Sequence, residues 1–404
     1  MAAAVCALAG CRGERPEAVH AGPAPAAPPP GVREWPVPAA PGSAEASLAA
    51  STDGRVMLSW LETLDGGRHA LRFSERRSGS PWSAPRTIAS GAGWFANWAD
   101  FPRMAALADG TLLAHWMERN PAGGTYQYDV RLVRSTDGGA TWSAPVSPYA
   151  DRTPAEHGFV SFAPVDERRL GVLFLDGRAT AREHGAMALR FATWGRTGEP
   201  APDTLVDDRV CDCCQTALAR TRRGLVAAYR DRSPGEVRDV AVRRLESGRW
   251  SEPVHPGGED WAIAACPVNG PAVSAEGDRV ALAWFTMAGE RAVVKAALSP
   301  DGGVTWSPPV VIDDASPFGR VDVVATASGA TVSWLAAAGS GAELRLRTVR
   351  EDGSAGAPVV VARTSGARAA GFPHLERAGR ELVVAWRDGG EPARIRTATV
   401  EAGE

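Results

Sequence analysis

The sequence predicts an all-β chain folded as one β-propeller of four-stranded blades, seven of them, closed by a strand from the N-terminal side. Three observations carry this reading. An apolar run ending in an aromatic recurs at Trp60, Trp116, Phe174, Tyr229, Trp284, Trp334 and Trp386, in steps of 50 to 58 residues. A turn, Ser135-Thr136-Asp137-Gly138-Gly139-Ala140-Thr141-Trp142, returns almost unchanged as Ser299-Pro300-Asp301-Gly302-Gly303-Val304-Thr305-Trp306. The first and last units are incomplete in complementary ways. A period near fifty, made of short strands and Gly/Asp turns, is the size of a four-stranded blade.

Residues 1–11 and 12–31 stand outside the repeat. Met1 to Cys11 is short and apolar, and Leu8-Ala9-Gly10-Cys11 resembles the bacterial lipoprotein signal box. That resemblance implies cleavage before Cys11, acylation of its sulfur, and a mature protein exported and lipid-anchored to the cell envelope, on its periplasmic or outer face. The segment lacks the basic stretch of a full signal. Residues 12–31, with Pro16, Pro23, Pro25 and Pro28 to Pro30, have no apolar periodicity and read as an extended tether. No later stretch is long and apolar enough to span a membrane.

Residues 32–404 form the propeller domain. Val32 to Pro38 reads as a closing outer strand with no blade before it, whereas Gly371 to Val400 holds three strand-like runs and no fourth. Pairing the two completes the seventh blade and hides two open sheet edges. A six-bladed ring, which strands one unit outside, is the alternative. The Trp-Ser-x-Pro runs at Trp82 to Pro85, Trp142 to Pro145, Trp250 to Pro253 and Trp306 to Pro309 are expected to be closing strands, each opened by its Trp.

In the repeated turn the Asp accepts backbone N–H groups and the glycines supply positive φ, the chemistry of a tight hairpin. The pattern resembles the Asp-box of the sialidase (BNR-repeat) superfamily, with Asp137, Trp142, Asp301 and Trp306 at its structural positions. Phe101-Pro102-Arg103-Met104, followed by Glu118-Arg119, resembles that family's F-R-I-P motif in permuted order. The resemblance implies a carbohydrate-active protein, a glycoside hydrolase or a glycan binder, in which arginines clamp a carboxylate, an Asp serves as acid/base, and a late Tyr activated by a Glu is the nucleophile. Here the tyrosines are Tyr126, Tyr128, Tyr149 and Tyr229, with none beyond 229. That departure weighs against sialidase hydrolysis, and Tyr229 holds the repeat's core position.

Alternating strand direction puts the box turns on one face of the ring. The segments before each first strand and after each second strand lie on the other. Polar residues concentrate there, two positions past the aromatic at Glu62, Glu118, Asp176, Asp231 and Asp388, with Arg119, Arg178, Arg230, Arg232 and Arg387 beside them. Segments leading into first strands add Asp100, Arg103, His157, Asp212, Gln215, Asn269, Arg320, Asp322 and His374. Catalytic candidates are Asp100, Arg103, Glu118 and Arg119, with Asp129 a further acid. Ligand-binding candidates are Asp176, Arg178, Asp212, Gln215, Arg230, Asp231, Asn269, Arg320, His374 and Arg387. The plainer reading is that each acid and arginine simply satisfy one another at a blade end.

Cys211, Cys213 and Cys214 lead into one blade and Cys266 into the next, and Cys211 and Cys266 stand equally far ahead of Tyr229 and Trp284. The four should therefore cluster at the mouth. The Cys-Asp-Cys-Cys run is similar to runs in sialidase-like proteins and implies no activity. In an exported protein two disulfides are the simplest outcome: Cys266 with Cys211 or Cys213, stapling two blades, and Cys214 with its neighbour in a vicinal link. No cofactor is otherwise expected. The alternatives are copper or zinc on these thiolates, joined by His157 or His374, and redox-active thiols. A third function class is a binding scaffold with no catalysis. A net charge of −3 gives no case for nucleic acid, and a single lysine, Lys295, excludes lysine-based phosphate or Schiff-base chemistry elsewhere. The expected partner is a glycan or other anionic small ligand, met by a monomer.

Overall fold

A computed structural model describes residue 29, residues 31–121 and residues 123–401. The lipoprotein-like box with Cys11, and most of the tether, lie outside the described residues. The described chain forms seven antiparallel sheets in sequence order, spanning 44–91, 104–135, 157–207, 217–250, 272–313, 317–364 and 374–401, numbered here as blades 1 to 7. The strand Val32–Trp35 adds to the outer edge of blade 7, pairing Val32 with Val400 and Trp35 with Thr397. Trp35 locks it there, donating from its indole to Thr399 Oγ1 at 3.0 Å with the Arg33 and Arg76 guanidiniums over its ring. The ring therefore has seven blades, and the six-bladed alternative falls.

The strands follow their sequence patterns. Second strands lie between neighbouring blades and are apolar on both faces; in Arg55–Leu64 the side chains of Val56, Met57, Leu58 and Trp60 are all fully buried. Third strands face a neighbour on one side only and alternate, as in Gly341–Arg350, where Ala342, Leu344 and Leu346 point inward between Glu343, Arg345 and Arg347. Most apolar clusters draw on adjacent blades, for example Val226, Ala228 and Val242 of blade 4 with Leu282 and Trp284 of blade 5. The core is thus a ring of seams, which leaves the axis open as a channel.

One expectation fails in part. Three of the four Trp-Ser-x-Pro runs are coil, not closing strands, and in the fourth only Trp250 lies in one, Arg249–Trp250; after Trp82 to Pro85 the strand is Arg86–Gly91. The serine docks on a single third-strand residue instead, its N–H giving to that residue's carbonyl and its hydroxyl accepting that residue's N–H, as Ser83 does on Glu75 and Ser307 on Leu298. Proline two positions later has no N–H to extend a ladder. Blade 2 has three strands, and its fourth place is held by a lone bridge between Leu132 and Val146. The box turns lie between third and fourth places, opposite the mouth, with Trp142 edge-on against Phe73 of blade 1.

Candidate functional site

The mouth is built from the segments that lead into first strands. Glu45, Phe159, Val268 and Arg320, in or just ahead of those strands, take positive φ, a conformation that costs free energy in a side-chain-bearing residue. Two of these kinks aim an N–H at a polar side chain of the preceding blade. Phe159 gives its N–H to Asp100 Oδ1 at 2.8 Å, and Arg320 gives its own to Asn269 Oδ1 at 2.7 Å. The glycine before each kink permits the approach, since a Cβ at Gly158 would stand 1.9 Å from Asp100 Oδ2 and one at Gly319 2.4 Å from Asn269 Oδ1. Gln215 bridges more widely, donating to Ala99 O at 2.7 Å and accepting from Gly270 N at 2.9 Å.

Between blades 2 and 3 this geometry assembles a buried acid cluster. The Tyr128 hydroxyl lies 2.9 Å from Asp100 Oδ2 and 3.0 Å from Glu156 Oε1. Burial pushes Asp100 up to about 7, against the opposing pull of the Phe159 N–H, the Tyr128 hydroxyl and the Arg103 charge. Glu156 is also raised to about 7, first by burial and then by the charges of Asp100 and Asp212, against the Tyr128 hydrogen bond. A phenol carries one proton and can donate to one acid only. The second hydrogen bond therefore needs a proton on the other carboxyl, so at least one of the two carboxyls is a carboxylic acid. Burial raises Tyr128 itself well above its ordinary value, so the phenol stays protonated.

Arg103 faces the axial channel, a cavity of about 340 Å³ also lined by Gln215, Asp322, His374 and Glu376. Its charge is opposed by Asp322 and Asp100, and it packs over Phe101 at 4.8 Å. His374 stands 3.6 Å from Asp322 and edge-on to Phe101, and burial holds it below its usual value. Glu376 is pushed up to about 7 by burial. From the acid trio an aromatic path runs outward, with Tyr128 stacked on Phe95 at 4.0 Å and Phe95 meeting the exposed Tyr126 edge-on.

The sequence candidates fall into groups. Asp100 and Arg103 come together at the mouth. Glu118 and Arg119 do not join them: Glu118 pairs with Arg131 at 2.7 Å, and Arg119 lies exposed over Phe95. Asp176 is fully buried and holds Arg178 through two side-chain hydrogen bonds, with His157 at 3.6 Å. Asp231 meets His255 at 3.0 Å and Asp212 meets Arg232 at 3.0 Å. Arg230, Arg320 and Arg387 give their hydrogen bonds to backbone carbonyls, Arg320 to those of Ala367, Gly371 and Gly366. Tyr229 donates to Asp207 at 2.6 Å within the core. Sequence reasoning missed Tyr128 as a site residue, and Glu45, Glu156 and Glu376 altogether. Glu156 and Glu376 flank the lead-in histidines His157 and His374, which was the available signal.

Comparison with solved structures places this architecture. A protein of unknown function from Dyadobacter fermentans superposes with a TM-score of 0.53 at 14% identity, over 93% of this chain and 100% of that one. The likeness is one of fold. A Hadza microbial sialidase aligns at TM-score 0.45 and 17% identity over 72% of this chain and 63% of its own. The Penicillium chrysogenum α-L-arabinanase complexed with arabinobiose aligns at 0.48 and 13%, over 94% and 99%. No family model and no curated protein matches the sequence.

The cysteines gather as their spacing requires. Cys213 is bridged to Cys266 across blades 4 and 5, with Cα atoms 6.0 Å apart. The vicinal link does not form. Cys214 turns instead to Cys211, and the two buried sulfurs are in direct contact. With Cys213 in the bridge, a copper or zinc ion would have Cys211 and Cys214 as its thiol ligands.

Proposed function

We propose that the protein is a carbohydrate-active propeller acting at the channel mouth, with Asp100 and Glu156 as an acid–base pair across Tyr128 and Arg103 as the charge that meets an anionic ligand. The observation that carries this is the single tyrosine hydroxyl shared by two buried carboxyls, both raised to about 7. Acid–base chemistry on a glycosidic bond needs one protonated and one ionised carboxyl close together, and works best when their pKa values lie near the ambient pH. Both carboxyls meet one phenol oxygen, at 2.9 and 3.0 Å, which holds them close enough to act on one bond. The protonated member would supply the leaving-group proton while the ionised member takes the Tyr128 proton as the phenol oxygen bonds the anomeric carbon and the glycosidic bond breaks, and water would then release the sugar by the reverse proton transfers. The exposed Tyr126 offers a sugar face to stack on. The lipoprotein-like box supports a place outside the cytoplasm, lipid-anchored at the cell envelope.

The test is a panel of aryl glycosides together with glycan-binding measurements on the parent, Asp100→Asn, Glu156→Gln and Tyr128→Phe. Turnover or binding in the parent that the three variants lose supports the site. Parent activity unchanged in all three, or no turnover and no glycan binding across the panel, overturns it.

A further inference from the structure

The cysteine cluster uses none of the acid–base residues and has an arrangement of its own. Four sulfurs are gathered in two layers. The outer layer is the Cys213–Cys266 bridge, with Cys266 exposed to solvent and Cys213 half-buried. The inner layer is the Cys211/Cys214 pair, spaced Cys-x-x-Cys, both thiols buried. The layers touch, because Cys211 Sγ lies 3.9 Å from the bridged Cys213 Sγ.

Arginine flanks the inner pair. The buried Arg238 directs Nη1 to Cys211 Sγ at 3.5 Å while Glu236 holds its other side at 2.8 Å. Cys211 takes its backbone place through a 2.9 Å hydrogen bond from its N–H to Arg230 O. Burial works against a Cys211 thiolate, but the hydrogen bond with Cys214, the Cys213 N–H and the Arg230 and Arg238 charges outweigh it and bring the thiol below its ordinary value. Burial and the neighbouring Cys211 push Cys214 the other way. Cys211, with the Arg238 guanidinium on one side and the bridged Cys213 sulfur 3.9 Å away on the other, is thus placed to attack the bridge, and Cys214 beside it to resolve the product.

We propose that the four cysteines form a two-layer thiol–disulfide relay, in which the buried Cys211/Cys214 dithiol exchanges with the exposed Cys213–Cys266 bridge and passes two electrons to an external disulfide, of a protein or a small molecule. In the first step the Cys211 thiolate attacks Cys213 Sγ. The Cys211–Cys213 bond forms as the Cys213–Cys266 bond breaks, and Cys266 leaves with the electron pair and takes a proton from water. Cys214 then attacks Cys211, closing Cys211–Cys214 and expelling Cys213, which receives the proton Cys214 gives up. No electrons are gained or lost so far, but the dithiol now faces solvent. In the last step Cys213 and Cys266 reduce the external disulfide to two thiols and re-form their own bridge. An external dithiol resets the inner pair. The exchange also moves a constraint: the bridge to Cys266 staples blades 4 and 5, whereas Cys211–Cys214 closes a loop within a single lead-in segment.

The experiment is disulfide mapping by mass spectrometry on the full chain, poised so that one bridge is present among these four cysteines, alkylated at intervals and digested without reduction. The relay predicts two interconverting isomers, Cys213–Cys266 and Cys211–Cys214, and faster reduction of oxidised glutathione or an insulin disulfide by dithiothreitol when the protein is present. Cys211→Ser loses both the interconversion and the acceleration. Cys214→Ser stops at the Cys211–Cys213 link. Three outcomes overturn the proposal: a Cys213–Cys266 bridge that never exchanges, two bridges that form and break independently, or stoichiometric copper or zinc on Cys211 and Cys214 with no exchange. The parent map alone decides if a variant does not fold.

Discussion

The two faces of the ring hold the same residue type in opposite electrostatic states. On the turn face, Asp137 accepts from the Thr141 N–H at 2.9 Å, from the Thr141 hydroxyl at 2.6 Å and from the Ser135 hydroxyl at 2.7 Å, all within four residues and in contact with water. Those donors, the Thr141 hydroxyl first, hold its carboxyl well below the usual range. On the mouth face, Asp100 takes its hydrogen bonds from Tyr128 and Phe159, 28 and 59 residues away, and burial holds it above that range. The box acid is a local device that relieves itself. The mouth acid is held by two distant stretches of chain and is left frustrated, which is how groups destined for proton transfer are commonly kept.

The largest expected effect tests the longest-range contact, the closing seam. Removing residues 32 to 38 should unfold the ring at markedly lower temperature, and Trp35→Ala alone should cost about 3–5 kcal/mol, read by thermal or denaturant unfolding. A truncated chain that melts like the parent would mean that the ring does not depend on its seam.

Next comes the frustration at the mouth. Asp100→Asn should raise stability at pH 8 by on the order of 1 kcal/mol or more while abolishing ligand turnover or binding. Because folding raises the Asp100 pKa from 3.8 to about 7, the native state is penalised above pH 7 and relieved as pH falls toward 4. The gap between variant and parent should therefore close on acidification. A gap that widens would show that the carboxylate is well solvated. Activity itself should peak near neutrality and fall on either side, since the trio must hold one proton between two carboxyls that both titrate near 7. A rate that climbs steadily to pH 9 would remove the protonated acid from the mechanism.

The smallest effect belongs to the turn face. Asp301→Ala should cost about 1 kcal/mol and leave affinity per folded molecule unchanged. Burial opposes its ionisation, but the Thr305 N–H and hydroxyl, the Ser299 hydroxyl and the Val304 N–H together outweigh it and bring its pKa below the ordinary value. The loss should thus be present at neutral pH and fade as pH falls through the folded-state value. Impaired ligand binding in this variant would reverse the assignment of the two faces.

These contrasts also mark what could be read in one dimension. The seven units, the N-terminal strand that completes the last of them and the pairing of neighbouring blades by cysteine all follow from spacing, because the period of a repeat and the burial of both faces of a second strand leave a direct trace in residue order. The failures were local patterns overruled by a partner. Trp-Ser-x-Pro has the composition of a strand, but its serine satisfies one third-strand residue from both sides and the proline ends the ladder. Glu118 and Arg119 look like an adjacent catalytic pair, yet Arg131 on the next strand takes the carboxylate. Tyr128 gave no sign in sequence of standing between two acids. Its place depends on how closely blades 2 and 3 approach once seven wedges share one circumference, with Gly158 leaving room for Asp100. The sequence by itself determined the repeat, its closure and its turn chemistry, which are matters of local geometry and periodic burial. Only the tertiary structure decided which carboxyls lose their water and which sulfurs meet, because desolvation and contact are set by atoms from several blades at once.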